Sequence, residues 1–203
     1  MRRGLGGFKE FVFLHKILIN MNTFYCFTLS DVRPISSNLY SESKSGKKHK
    51  NDISRYEYAE KIREAFKDQN TAFDKFEGID LYGIVYCFYY RGKSKLSFLD
   101  ADNISKPFWD SLDKLESTSG DLPVFLYDDD QQIKLRIAGI KEIVINEVDS
   151  VLSLTNLNVE KKIFISFMNF LDKIATAQDE EHYWIYGACG ELNTFNHYQF
   201  KLI

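Results

Sequence analysis

The chain has 203 residues, with 26 Lys or Arg and 29 Asp or Glu, so its formal net charge at neutral pH is -3. This balance excludes a histone-like or polybasic protein, and a composition of 44% hydrophobic and 27% charged residues excludes disorder along the whole chain. No run of 18 apolar residues occurs, so no membrane-spanning helix is expected.

Residues 1–20 conform poorly to a secretory signal peptide. The segment begins with basic residues and has apolar content, but Lys9, Glu10 and Lys16 interrupt the apolar run and no small-residue cleavage site follows. We therefore interpret 1–20 as a leader or non-native segment and begin the fold at Met21.

The first half of the chain alternates between extended and helical patterns. A β-branched and aromatic strand is predicted at 23–29, followed by a Ser-, Asn- and Lys-rich loop with a basic tail at 44–50. Apolar residues at helical spacing predict a helix at 55–68, capped by Asp52 or Ser54. An apolar run predicts a central strand at 79–90.

The second half continues this alternation. A helix is predicted at 102–115 and an alternating strand at 132–140. The last sixty residues read as an appended unit, with a helix at 158–176 and a hairpin of strands at 182–188 and 195–203. These elements predict an α/β (α+β) domain at 21–141, with a small mixed sheet and helices packed on it, and a β-α-β-β extension of the same domain at 142–203.

Three scattered cysteines and four histidines do not supply the clustered ligands of a structural zinc site. No two of Cys26, Cys87 and Cys189 lie close together in sequence. They predict buried, reduced thiols in a cytoplasmic protein.

Carboxylates mark the start of the second predicted helix. Asp100 and Asp102 are two residues apart, and side chains at this spacing share a face of an extended backbone. Lys106 lies one helical turn after Asp102. Together with the acidic run 128–130 before the next strand, these carboxylates would suit Mg²⁺ or Mn²⁺, with Lys106 near a phosphate.

A simpler interpretation stays open at this point. Asp102 and Asn103 are also ordinary helix-capping residues, and an acidic run before a strand is also an ordinary solvated turn. Pro107 is awkward inside a helix, so the helix would begin nearer Ser105 under this interpretation.

Read together, the two acidic segments resemble the RusA family of Holliday junction resolvases. The resemblance covers roughly residues 21–141 and rests on two linked motifs. The first is DADNISKPFWDSL, from Asp100 to Leu112, and the second is DDQQI, from Asp129 to Ile133. The segment from Asp113 to Tyr127 is longer than the family's short connection, and residues 142–203 have no counterpart in it.

The resemblance implies a homodimer that makes paired, Mg²⁺-dependent nicks in four-way DNA junctions. It implies that the metal ligands are Asp100, Asp102, Asp129 and Asp130, that Asp102, Asp130 and Lys106 are catalytic, and that Asn103 and Gln132 complete the motifs. A second register would use Asp128, Asp129 and Gln131. The first is preferred because Ile133 then fills the apolar position after the glutamine.

The basic loop is the expected DNA contact. Its cations would bind backbone phosphates without reading sequence; they are Lys44, Lys47, Lys48, Lys50 and Arg55. A solvated surface loop is the alternative. Two other functions also stay open: a non-catalytic DNA-binding or assembly protein on the same fold, and a phosphohydrolase acting on a small substrate.

The net charge conceals a strong asymmetry. Residues 1–106 carry 18 basic and 13 acidic groups, a net of +5, whereas residues 107–203 carry 8 basic and 16 acidic groups, a net of -8. Mild overall acidity therefore excludes a general polycation but leaves open an enzyme that meets DNA through one part of its surface.

Overall fold

The computed structural model describes residues 24–35, 54–93, 101–113, 126–143, 161–176 and 179–195. In these ranges the chain forms a mixed four-stranded sheet with three α-helices packed on it, which confirms the predicted fold class. The elements are β1 (Phe24–Ser30), α1 (Arg55–Gln69), β2 (Leu81–Tyr90), α2 (Ala101–Asp110), β3 (Ile133–Glu142), α3 (Lys161–Thr176) and β4 (His182–Glu191).

The strand order is β1-β4-β2-β3. Strand β4 is antiparallel to both of its neighbours, and β2 is parallel to β3. Parallel neighbours need a crossover connection, and α2 provides it by carrying the chain from the end of β2 back to the start of β3. Helix α2 is thereby placed against β2 and β3, and the second acidic motif leads into β3.

The position of β4 differs from the expected appended hairpin. It lies between β1 and β2, so this part of the C-terminal segment is integral to the sheet. Its first nine residues are all buried, because helices cover both faces of the sheet there. Phe195 follows a short 3-10 helix. The rest of the second strand predicted at 195–203 falls on residues 196–203, which lie outside the described ranges.

Helices α1 and α2 pack on one face of the sheet. Ile62 and Phe66 of α1 and Phe108 and Trp109 of α2 are each 0% exposed. They join a cluster that includes Phe27 of β1. Each such side chain contributes about 1.5–3 kcal/mol when buried, so this face fixes α2 firmly on the sheet.

Helix α3 packs on the other face. It lies within the helix predicted at 158–176, and its side chains that face the sheet are all buried: Ile163, Phe167, Phe170, Leu171 and Ile174. Phe167 meets Trp184 of β4 with ring centroids 4.8 Å apart. The sheet therefore has an aromatic core on each side.

Helix α1 begins at Arg55 with Ser54 as its N-cap. The Ser54 hydroxyl accepts the Glu57 N–H at 3.2 Å, and the Glu57 carboxylate accepts the Ser54 N–H at 2.8 Å. This reciprocal capping box satisfies two backbone donors that the first turn would leave unpaired. Of the two caps predicted, Ser54 is correct.

Helix α2 starts earlier and ends earlier than predicted. It begins at Ala101, so the suggestion that Pro107 moves the start toward Ser105 is wrong. Pro107 lies inside the helix, where it removes one backbone hydrogen bond. The helix ends at Asp110, and residues 111 and 112 form a turn instead of the predicted continuation to 115.

Two further predictions concern the cysteines and membranes. Cys26, Cys87 and Cys189 are all buried and none of the three forms a disulfide, as expected. Burial raises the pKa of the Cys87 and Cys189 thiols, so both stay protonated at neutral pH. Among the described helices, none is long and apolar enough to cross a membrane.

Candidate functional site

The first acidic motif leads into α2. Asp100 lies outside the described residues, whereas Asp102 and Asn103 occupy the first turn of the helix. Asn103 is half-buried, and for Asp102 only the backbone is described. The helix therefore fixes where the Asp102 backbone lies.

Lys106 lies in the middle of α2 and forms an ion pair with Asp110. The Lys106 Nζ atom is 3.1 Å from Asp110 Oδ1. The lysine side chain is 56% exposed and the aspartate side chain only 12%. The resemblance assigns no role to Asp110, although its spacing of four residues from Lys106 could have predicted this pair.

Several hydrogen bonds fix the C-terminal end of α2. The Ser111 hydroxyl donates to the Pro107 carbonyl at 2.8 Å, and Arg63 Nε donates to the Ser111 carbonyl at 2.8 Å. Arg63 is 2% exposed, so this contact joins the interior of α1 to the end of α2. These bonds satisfy carbonyls that a helix end otherwise leaves unpaired.

The chain that precedes the second acidic motif docks on the same end of α2. The Leu126 N–H donates to the Leu112 carbonyl at 2.7 Å, and the Tyr127 hydroxyl donates to the Trp109 carbonyl. Burial raises the pKa of Tyr127 most, and Cys189, Asp113 and Asp110 raise it further. Tyr127 therefore stays protonated as a donor and joins the two motifs.

Gln132 organises the second motif. Its Oε1 atom accepts the N–H groups of Asp128 at 2.9 Å and Asp129 at 3.4 Å. Its Nε2 atom donates to the carbonyls of Phe76 at 3.4 Å and Ile79 at 3.2 Å. One amide thus ties the acidic turn to the chain that enters β2, which explains why a glutamine is useful before β3.

The neighbours of Gln132 have distinct surroundings. Asp128 forms an ion pair with Lys75. Asp129 Oδ1 accepts the Gln131 N–H at 2.9 Å, and Asp130 opens a 3-10 helix, with only its backbone described. Ile133 is 4% exposed. The register of Asp129, Asp130 and Gln132 stays a prediction.

No three or more His, Cys, Asp or Glu side chains converge to hold a metal among the residues that the structure describes. The described residues do not include Asp100 or the side chains of Asp102 and Asp130, so this statement does not cover them. The predicted three-carboxylate cluster therefore stays a prediction.

The predicted DNA-binding loop is largely outside the described ranges. This applies to Lys44, Lys47, Lys48 and Lys50. Arg55 is the first residue of α1, and only its backbone is described. Since the Ser54 capping box fixes the start of α1, the loop is joined to the core at a defined point.

A second polar cluster was missed by sequence reasoning. Asp31 Oδ1 lies 3.1 Å from His182 Nδ1, and Asp31 Oδ2 accepts a hydrogen bond from Lys173. Burial opposes ionisation of Asp31, but its bonds to Lys173 and His182 outweigh burial and hold the pKa of Asp31 below its usual value. The cluster joins the end of β1 to α3 and to the start of β4.

No protein-family model matches the chain, and no curated protein matches it in sequence. The resemblance to the RusA family therefore rests on the two motifs themselves.

Proposed function

We propose that the protein is a Mg²⁺-dependent endonuclease that resolves four-way DNA junctions by paired phosphodiester hydrolysis. In this proposal it acts in the cytoplasm as a homodimer, during DNA recombination or repair. The supporting observation is the arrangement around α2: the partly exposed ammonium of Lys106 is ion-paired with Asp110 at the end of the helix, and the chain that directly precedes the second acidic motif docks on that same end. The two acidic motifs resemble those of one nuclease family.

The donor set suits the proposed metal. Asp100, Asp102, Asp129 and Asp130 offer carboxylate oxygens, which are the hard ligands that Mg²⁺ and Mn²⁺ prefer. A bound ion would neutralise phosphate charge and lower the pKa of a coordinated water.

The chain's own residues have separate tasks in this proposal. Lys106 donates to a phosphate oxygen or to the leaving oxygen, where negative charge develops during cleavage. Gln132 keeps the acidic turn in place through the four hydrogen bonds of its amide. The basic loop and Arg55 bind backbone phosphates and hold the junction against the site.

The decisive experiment compares a synthetic four-way junction with a linear duplex of the same sequence, each incubated with the protein and Mg²⁺. We expect symmetrical nicks in the junction alone. Asp102→Asn and Asp130→Asn should each abolish nicking and leave junction binding intact, because the amide keeps the side-chain shape and removes the ligand charge. Asp172→Asn, an exposed aspartate on α3, is the matched control and should nick normally.

The outcomes separate the three functions. Junction binding by the wild type without nicking would favour the non-catalytic binding protein. Hydrolysis of a small phosphodiester in preference to the junction would favour the small-substrate phosphohydrolase. Undiminished nicking by both Asp102→Asn and Asp130→Asn would contradict the assignment of the metal ligands.

A further inference from the structure

Asp110 is the last residue of α2 and a nearly buried carboxylate. Its side chain is 12% exposed, and its Oδ1 atom lies 3.1 Å from the ammonium of Lys106. The proposed function uses Lys106 but gives Asp110 no task. The question is what this carboxylate contributes.

Helix stability does not account for the pair. The C-terminal end of a helix carries partial negative charge, so an anion there is unfavourable. A lysine that precedes its acidic partner by four residues is also in the less favourable order. Burying a carboxylate adds a desolvation cost. Local rules broken in this way are typical of functional positions.

The two partners differ in how firmly the fold holds them. Trp109 and Leu112, on either side of Asp110, are each 0% exposed. Ser111, the next residue, is hydrogen-bonded to Pro107 and to Arg63. The backbone that carries Asp110 is therefore fixed, whereas Lys106 is a long, flexible side chain whose end reaches solvent. The Asp110 carboxylate therefore limits the movement of the Lys106 side chain much more than Lys106 limits the movement of Asp110.

We propose that Asp110 is a positioning residue for Lys106, holding its ammonium at the C-terminal end of α2 where a junction phosphate is to be met. This inference rests on the proposed nuclease function. It assigns Asp110 no contact with DNA or metal. A misplacement of about 1 Å at a reacting group costs up to about 100-fold in rate, so restraint of a flexible lysine has a measurable effect.

The first test measures the restraint without any nicking reaction. An amine-acylating reagent is applied to the wild type and to Asp110→Asn, and modification of Lys106 is followed by peptide mass spectrometry. We expect a several-fold faster modification of Lys106 in Asp110→Asn. Lys93, whose partner is Asp179 elsewhere on the surface, is the internal control and should not change. An unchanged rate at Lys106 would overturn the proposal.

Should Asp110→Asn fail to fold, the wild type still gives an answer. Side-chain NMR of the lysine ammonium groups is expected to show a more ordered Nζ for Lys106 than for Lys61, an exposed lysine of α1. Equal order for both would contradict restraint by Asp110.

The second test is a double-mutant cycle on the rate of junction nicking in a single turnover. Asp110→Asn should slow nicking about 10- to 100-fold with unchanged junction affinity. It should add no further loss in the Lys106→Ala background, because its effect passes through that lysine. Additive losses would mean a role independent of Lys106. Normal nicking by Asp110→Asn would overturn this inference alone, whereas an intact junction after incubation with the wild type would contradict the proposed function itself.

Discussion

Asp31 follows β1 with a backbone φ of 58°, in the left-handed region that residues other than glycine seldom adopt. Its N–H donates to the Tyr183 carbonyl at 2.8 Å, and its carboxylate meets His182 and Lys173. These contacts come from β4 and α3, and they stabilise a turn that is unfavourable by itself.

This cluster gives a pH dependence with a defined sign. Because the folded-state pKa of Asp31 is lowered, its extra stabilisation is present above the unfolded value of about 3.9 and is lost as pH falls through the folded pKa. Asparagine also tolerates positive φ, so Asp31→Asn removes the charge without straining the turn. Because the ion pairs of Asp31 are partly exposed, we expect this variant to lower the free energy of unfolding by less than about 1 kcal/mol at pH 7. Urea unfolding at pH 7 and at pH 3 measures this.

The difference between wild type and Asp31→Asn should shrink toward zero at the lower pH. Asp172→Asn removes an exposed carboxylate from α3 and serves as the control for the loss of a surface charge. An Asp31→Asn effect of equal size at both pH values would mean that the charge of Asp31 does not stabilise the fold.

The contacts of Asp31 could not be predicted from the sequence. Asp31 and His182 are 151 positions apart, and no periodicity links them. Gln132 is different, because its place in a motif marked it in advance, although its contacts with Phe76 and Ile79 could not be read from spacing. A motif identifies a residue; its partners come from the fold.

At the scale of elements, the contact between α2 and the sheet depends on Gly187 of β4. A Cβ atom at this position would lie 2.5 Å from the Phe108 Cζ atom of α2. Phe108 is 0% exposed and has no room to move aside. The glycine therefore sets how closely α2, with Lys106 and Asp110, approaches the strands.

Gly187→Ala should lower the free energy of unfolding by about 1–3 kcal/mol, as overpacking in a filled core does. Phe108→Leu removes the atoms that clash, so the double variant should lose less stability than the two single variants added together. Denaturant unfolding of all four proteins measures this coupling. Strictly additive losses would show that the Phe108 ring does not limit the space at position 187.

Local patterns predicted the elements well where one face was clearly apolar. Helices α1 and α3 were predicted close to their observed positions, because helical periodicity of apolar residues reports burial directly. The central place of β4 was missed, since pairing between distant strands leaves no local signal and a strand buried on both faces shows no alternation. The early end of α2 depends on bonds from Arg63 and Tyr127, which are also distant in sequence.

The whole molecule divides its charge between two halves, with a net of +5 in residues 1–106 and -8 in residues 107–203. If general attraction governed DNA binding, any two lysines would matter equally. If the basic loop binds phosphates directly, two of its lysines should matter much more than two elsewhere. Two variants of equal net charge distinguish these cases: Lys47→Gln with Lys48→Gln, and Lys141→Gln with Lys161→Gln.

Junction affinity measured against salt concentration decides between them. Each phosphate contact that is lost lowers the slope of log affinity against log salt by about 0.9, so the loop variant should lose about 1.8 in slope. Lys141 and Lys161 are exposed on β3 and α3, in the acidic half, and their replacement should leave the slope nearly unchanged. Equal losses in both variants would show that net charge, and not the loop, attracts DNA. A loss confined to the loop variant would mean that the acidic half faces away from the junction. The net charge of -3 would then be the sum of a basic half that binds DNA and an acidic half that does not.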